Sequence, residues 1–371
     1  MKTLRSLLLT LAALSLLASS PTPGLAAADK HKPIINYQER FLPTVAQHGM
    51  VVGPEQHASE VWVQILRQGG NAVDAAVATG FALAVTYPKA GNIGGGGFML
   101  IHVAEDNQQT LVDYRETAPA AASRDMFLKD NGEVDRGREF FSRQSAGVPG
   151  TVAGLLHALD NYGTMSRQQV LAPAIALAEQ GFPVSFAFNA DINARAAQLR
   201  KDPQALALFF REDGSPLAIG DTWQQPDLAW TLRQISEKGV KGFYQGEVAR
   251  RIVADMSAND GLITAQDLAG YRALEREPVR GKFREFEVVS TPPPSSGGVH
   301  ILQMLNILEG FDLDTMGHNS AAYLHHLVET MKLAYADRSQ YLGDPDYVEV
   351  PVAKLISRDY AARQRALIDP S

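Results

Sequence analysis

No cysteine occurs among the 371 residues. Disulfides, a thiol nucleophile, thiolate metal ligands and lipid attachment at a cysteine are therefore excluded. Positive charge is also in short supply: 34 Lys and Arg stand against 41 Asp and Glu, for a net charge of −7. A surface that neutralises phosphates needs the opposite balance, so nucleic acid is not expected as a partner. The N-terminal apolar run Leu7–Ala18 is about twelve residues long, well short of the roughly 20 that a bilayer span requires. His325 and His326 are adjacent and His318 sits in a turn. No HExxH or His–carboxylate spacing accompanies them, so they read as surface or capping residues and no metal is expected. There is no GxSxG elbow, and Ser295 and Ser296 have no adjacent base to activate them. The glycines at Gly94–Gly97 are followed by no Lys-Ser/Thr and lead into a strand pattern, so they are neither a phosphate loop nor a dinucleotide fingerprint. No cofactor is expected, and there is no internal repeat or low-complexity tract.

What is present is ordinary globular composition, 45% hydrophobic and 20% charged. The length allows one large or two medium domains. Lys2 and Arg5, the run Leu7–Ala18 and the small residues Ala26-Ala27-Ala28 have the order of a secretory signal peptide over residues 1–28. Its removal takes away two positive charges and no negative ones, leaving residues 29–371 still more acidic. The pattern predicts a periplasmic or secreted protein without a membrane anchor.

Along the chain, Asp29–Gly49 is polar and irregular, and Met50–Val52 is strand-like. Pro54–Gln68 reads as a helix stopped by Gly69-Gly70. Asn71 is a good N-cap for a second helix, Ala72–Thr86, which is apolar nearly all round and so belongs in the interior. Ser123–Arg143 is charged and loop-like. Capping residues then mark helices through Tyr162, over Arg167–Gln180, Asp191–Leu199 and from Pro203, Pro226 and Gly246. Thr264 opens a capping box with Asp267. Strands return at Pro278–Lys282 and Phe286–Ser290. Pro292–Gly298 leads to a helix, Val299–Leu308, as a rigid connector or as an anion site at the helix N-terminus. Ser320 caps a long helix reaching Tyr341, in which Asp337 and Arg338 are adjacent, so each needs its own tertiary partner if buried. Ala353–Leu367 is one more helix.

The most informative stretch is Tyr87–Pro119, YPKAGNIGGGGFMLIHVAEDNQQTLVDYRETAP. A glycine loop precedes two alternating segments, Phe98–Val103 and Thr110–Arg115, with a turn over Glu105–Gln109. Glycines permit positive φ or the close approach of another backbone. If Leu111 faces the core, alternation places Asp113 and Arg115 on the same inward face. A buried Arg needs an anionic partner. That partner is either a neighbouring acid, Asp113 or Glu116, or the carboxylate of a small substrate gripped by the planar fork.

Taken as a set, the stretches NAVDAAVA (Asn71–Ala78), AGNIGGGGFML (Ala90–Leu100), DYRETAP (Asp113–Pro119) and GVPGTVAG (Gly147–Gly154) resemble the large subunit of bacterial gamma-glutamyltranspeptidases. GLITAQDL (Gly261–Leu268), PPPSSGG (Pro292–Gly298) and YADRSQYLGDP (Tyr335–Pro345) follow in the family order. The resemblance covers roughly residues 45–365 and implies an α+β fold. The fold would be the large-subunit portion of an N-terminal-nucleophile hydrolase αββα sandwich, two sheets between helical layers. It implies a precursor that cleaves itself, exposing the N-terminal threonine of a small subunit as nucleophile. That threonine attacks the γ-glutamyl amide of glutathione or another γ-glutamyl compound. Water, an amino acid or a peptide then resolves the ester. The threonine would lie beyond Ser371, so this chain is expected to be inactive alone and to work as a heterodimer with the small subunit. Arg115 matches the family arginine that pairs with the α-carboxylate of the glutamyl group, with Asp113 and Glu116 supporting it. Two other functions fit the same residues: a cephalosporin or glutaryl acylase of the same superfamily, whose substrates also carry a carboxylate, and a non-catalytic periplasmic binding protein.

Overall fold

A computed structural model describes residues 43–369. The signal-peptide reading and most of the N-terminal arm fall outside this range. The architecture is mixed helix and sheet, the expected α+β class. The chain divides into two compact units, Val45–Arg280 with Val289–Gly298, and the described parts of Gly281–Val288 with Val299–Ser371.

The larger unit is built around one interior helix. Helix α1 (Gln56–Arg67) packs on α2 (Ala72–Thr86), which also touches α4 (Thr151–Tyr162) and α5 (Arg167–Gln180). Ala75, Val77, Ala78, Phe81, Ala82 and Val85 of α2 are all buried. Its small side chains let three helices approach, and its apolar circumference leaves no face for water. Asn71 caps it as expected, accepting from the Val73 and Asp74 amides, while Asp74 reaches back to the Asn71 amide in a full capping box.

Strands β1 (Phe98–Val103) and β2 (Gln108–Asp113) form the expected hairpin, with Leu100 opposite Leu111. On its other side β2 pairs antiparallel with β3 (Leu274–Arg276), bringing Leu111 opposite Arg276 and Asp113 opposite Leu274. Thr110, Leu111, Val112 and Asp113 are all buried. Both faces of β2 are therefore covered, and simple inward–outward alternation fails there. The strand stops at Asp113, two residues earlier than the pattern predicts, so Arg115 is not on an inward face but exposed.

Other differences have local causes. Met50–Val52 is not a strand, and among the described residues no segment pairs with it. Ser123–Arg143 contains a short helix, α3 (Arg136–Phe141), capped by Asp135. The helix expected from Asp191 begins at Phe186, where Ser185 accepts from the Phe188 amide. Val240–Tyr244 forms a further turn of helix directly after Gly239. In the smaller unit, Ala353–Leu367 is broken in two, Val352–Leu355 and Arg358–Arg365, because Ser357 starts a new cap on Tyr360.

The smaller unit packs the helix continuing to Leu308 with Ala321–Tyr341 and Arg358–Arg365. Ile307, Ala361 and Ile368 form its apolar centre, with Phe311 and Leu333 against them. Beside it lies a buried polar cluster. Asp337 accepts from Gln303 Nε2, from Tyr360 Oη at 2.8 Å and from Gln364 Nε2 at 3.1 Å. The tertiary partners that Asp337 requires are thus supplied, whereas Arg338 is exposed and needs none.

Candidate active-site segment

The turn after β2 carries Asp113, Tyr114, Arg115 and Glu116. Its path is set by two glycine loops that close on the Tyr114 carbonyl. The Gly97 amide donates to that carbonyl at 3.2 Å and the Tyr114 amide donates back to the Gly97 carbonyl at 3.0 Å. This adds one more rung to the hairpin. A Cβ on Gly96 would lie 2.4 Å from the Tyr114 oxygen, and one on Gly150 only 1.9 Å from it. Neither position has positive φ. The glycines are needed for close approach and not for backbone conformation. The second loop also rests on the first: the Gly150 and Thr151 amides, at the uncapped start of α4, both donate to the Gly95 carbonyl, at 2.8 and 3.0 Å. These helix-end donors thereby find a partner without a capping side chain.

Arg115 itself is anchored through its backbone. Its amide donates to Asp113 Oδ1 at 3.0 Å, and its carbonyl accepts from Tyr271 Oη at 2.7 Å. Asp113 is buried, and its second oxygen accepts from Arg276 Nε at 2.6 Å. Tyr271 is stacked on Tyr244, with ring centres 5.7 Å apart and planes within 5°. Tyr244 Oη in turn donates to the Pro149 carbonyl at 2.7 Å and accepts from the Ala153 amide. Burial pushes both phenols well up, with further upward push on Tyr271 from Tyr244, Asp113 and Glu116. Burial also raises Tyr114, to about 12. All three therefore stay protonated at neutral pH.

The Arg115 guanidinium is different. Its side chain is 59% exposed, and among the described residues its ion pair is with Glu116 at 3.5 Å, itself partly exposed. A contact of that length at the surface contributes little. The backbone is pinned and the fork is left with donors to offer. A cleft of about 520 Å³ is lined by Thr117, which follows this segment in the chain, and by Val148, Asp267 and Tyr271 among others, but not by Arg115. Two larger clefts, of about 600 and 920 Å³, lie between helices at His57–Gly181 and around Trp230, away from Arg115.

The three residues singled out in the sequence are thus brought together, though by different means from those expected. Asp113 holds the Arg115 amide and not its guanidinium. Glu116 is the acid nearest the guanidinium. Arg276, Tyr271 and Tyr244 were not singled out. No motif marks them, and the only available signal was that a buried Asp113 must have polar partners, which does not say which ones. Ser295 serves a turn and a cap, accepting from Thr291 Oγ1 at 3.1 Å and from the Gly297 amide at 3.2 Å. His325 and His326 contact backbone carbonyls of Asp369 and Ala322.

The profile of the family described as Gamma-glutamyltranspeptidase matches residues 58–371. The chain is 48% identical over 339 residues to the glutathione hydrolase proenzyme of Escherichia coli (strain K12), covering 91% of this chain and 58% of that relative. It is 42% identical over 332 residues to the acylase ACY 1 proenzyme of Pseudomonas sp. (strain V22), covering 88% of this chain and 59% of the relative. The chain therefore spans a little over half the length of these curated relatives. In structure it is similar to the gamma-glutamyltranspeptidase of Helicobacter pylori, with TM-score 0.87 and 43% identity over 89% of this chain and 94% of that one.

Proposed function

Since the chain belongs to the gamma-glutamyltranspeptidase family, we propose that it is the large-subunit part of a self-processing γ-glutamyl transferase and hydrolase. Arg115 then holds the α-carboxylate of the γ-glutamyl group in a bidentate, charge-assisted contact. Chemistry comes from the N-terminal threonine of a small subunit cut from the same precursor. That hydroxyl attacks the γ-amide of glutathione or a related compound, and water or an amino-acid or peptide acceptor resolves the ester. Residues 1–28 would direct the precursor to the periplasm or the exterior, and residues 29–371 would act only as part of the heterodimer.

One observation carries this reading: a guanidinium whose backbone is pinned at both its amide and its carbonyl, yet which stands 59% exposed with, among the described residues, one long ion pair. An arginine held for structure is instead buried against its acid, as Arg276 is against Asp113 at 2.6 Å.

The test is Arg115→Lys in the complete proenzyme. A point charge keeps the sign and loses the fork, so kcat/KM for γ-glutamyl donors should fall about 10- to 100-fold. Unchanged kinetics would remove Arg115 from the site. A second reading is favoured by the similarity to an acylase proenzyme: the substrate could be a glutaryl amide. A panel pairing a γ-glutamyl amide with the matching glutaryl amide separates the two. Turnover of the glutaryl compound alone would replace the first reading with the second.

A further inference from the structure

We propose that Tyr271 is a positioning residue for the carboxylate-binding arginine, fixing the Arg115 carbonyl while Asp113 fixes its amide. The inference rests on the reading of Arg115 given above. Because the Arg115 side chain is mostly in solvent, packing does not hold its guanidinium in place. Its position is inherited from the backbone, and that backbone has two polar tethers. One is the Asp113 carboxylate on the amide, and the other is the Tyr271 hydroxyl on the carbonyl, at 3.0 and 2.7 Å.

The Tyr271 tether is built to be rigid. The ring is buried and lies flat on Tyr244, whose own hydroxyl is fixed between the Pro149 carbonyl and the Ala153 amide. The stacked pair therefore links the turn carrying Arg115 to the loop that starts α4. On its other side, Gly150 sits so close that an added Cβ would be 2.2 Å from the Tyr271 oxygen and 1.9 Å from the Tyr114 oxygen. Hydroxyl, carbonyl and glycine thus occupy a space with no slack. Loss of the hydroxyl leaves the ring stack in place and lets the Arg115 carbonyl turn toward solvent. The guanidinium then samples a wider volume, and a bidentate contact is sensitive to such freedom.

The test is Tyr271→Phe in the complete, processed enzyme, assayed on two donors. One carries the free α-carboxylate, and the other is its α-carboxamide counterpart. The expected result is a rise of about fivefold in KM for the carboxylate donor, the scale of one lost hydrogen bond, with little change in kcat. The preference for carboxylate over carboxamide should shrink by the same factor. A purely structural role would lower activity on both donors together, so an unchanged preference overturns the proposal even if the variant is less stable. Arg115→Lys on the same two donors separates the two failures. If neither variant alters the preference, the reading of Arg115 fails. If Arg115→Lys alters it and Tyr271→Phe does not, only the positioning role of Tyr271 fails.

Discussion

Arg276 Nε and Asp113 Oδ2 meet at 2.6 Å across 163 positions of sequence, in an ion pair whose side chains are only 17% and 7% exposed. This pair sits at the junction of β2 and β3, and the other oxygen of the same carboxylate holds the Arg115 amide. Removing the arginine leaves a buried carboxylate without its cation. Arg276→Met is expected to cost about 3 kcal/mol, whereas adding Asp113→Leu to it should recover part of that loss. Denaturant unfolding of the complete protein and its variants measures both. A single variant as stable as the parent would show that the pair contributes nothing.

Gly150 is the second place where stability should respond sharply. A Cβ there would be 1.9 Å from the Tyr114 carbonyl oxygen, a backbone atom that cannot move aside cheaply. Gly150→Ala should therefore cost about 3 kcal/mol or more, or abolish soluble expression. Gly270→Ala, where nothing lies within 4 Å, should stay within about 0.5 kcal/mol of the parent. Thermal unfolding midpoints of the two variants side by side test the contrast.

Asp74 gives the larger unit an acid-sensitive point. It is fully buried and accepts from the Asn71, Thr164 and Met165 amides and from Thr164 Oγ1, at 2.7–3.0 Å. Burial pushes its carboxyl up, but the bonds from Met165, Thr164 and Asn71 outweigh that and hold it below the ordinary 3.8. A carboxyl lowered on folding contributes stability that is fully present above the unfolded-state value and is lost as pH falls through the folded-state value. The loss should thus begin near pH 4 and continue below it. Asp74→Asn should lower the melting temperature at pH 7 and flatten its fall between pH 5 and pH 3. A parallel downward shift at every pH would mean that Asp74 does not contribute to the acid limb.

In the smaller unit, Asp337 gathers Gln303, Tyr360 and Gln364 on one buried carboxylate. The Tyr360 phenol is pushed up to about 12, first by burial and then by Asp337, so it remains a donor. Asp337→Ala strands these donors and is expected to cost about 3 kcal/mol, with Asp337→Asn falling between it and the parent. Equal stability of parent and alanine variant in urea would exclude that role.

Much of the fold could be read from local chemistry. Asn71, Ser166, Asp202, Thr264 and Ser320 each cap the helix that their position announces. A cap bonds an amide two or three residues away, so the information lies within one turn. The all-round apolar character of Ala72–Thr86 likewise announced an interior helix. Alternation misled at Thr110–Asp113, because a strand buried on both faces has no outward side, and the exposure of Arg115 was misjudged as a result.

The sequence by itself determined the capped helices, the interior helix Ala72–Thr86, the hairpin, the absence of thiol chemistry and the motif that singles out Asp113, Arg115 and Glu116. These depend on contacts between residues close in the chain, or on composition. Tertiary structure alone decided that Asp113 answers to Arg276, that Tyr271 holds the Arg115 carbonyl, and that the guanidinium faces solvent. Those partners lie 156 and 163 positions apart in the chain. No periodicity reaches that far, and only the pairing of β3 with β2 and the closure of two glycine loops on Tyr114 bring them within bonding distance.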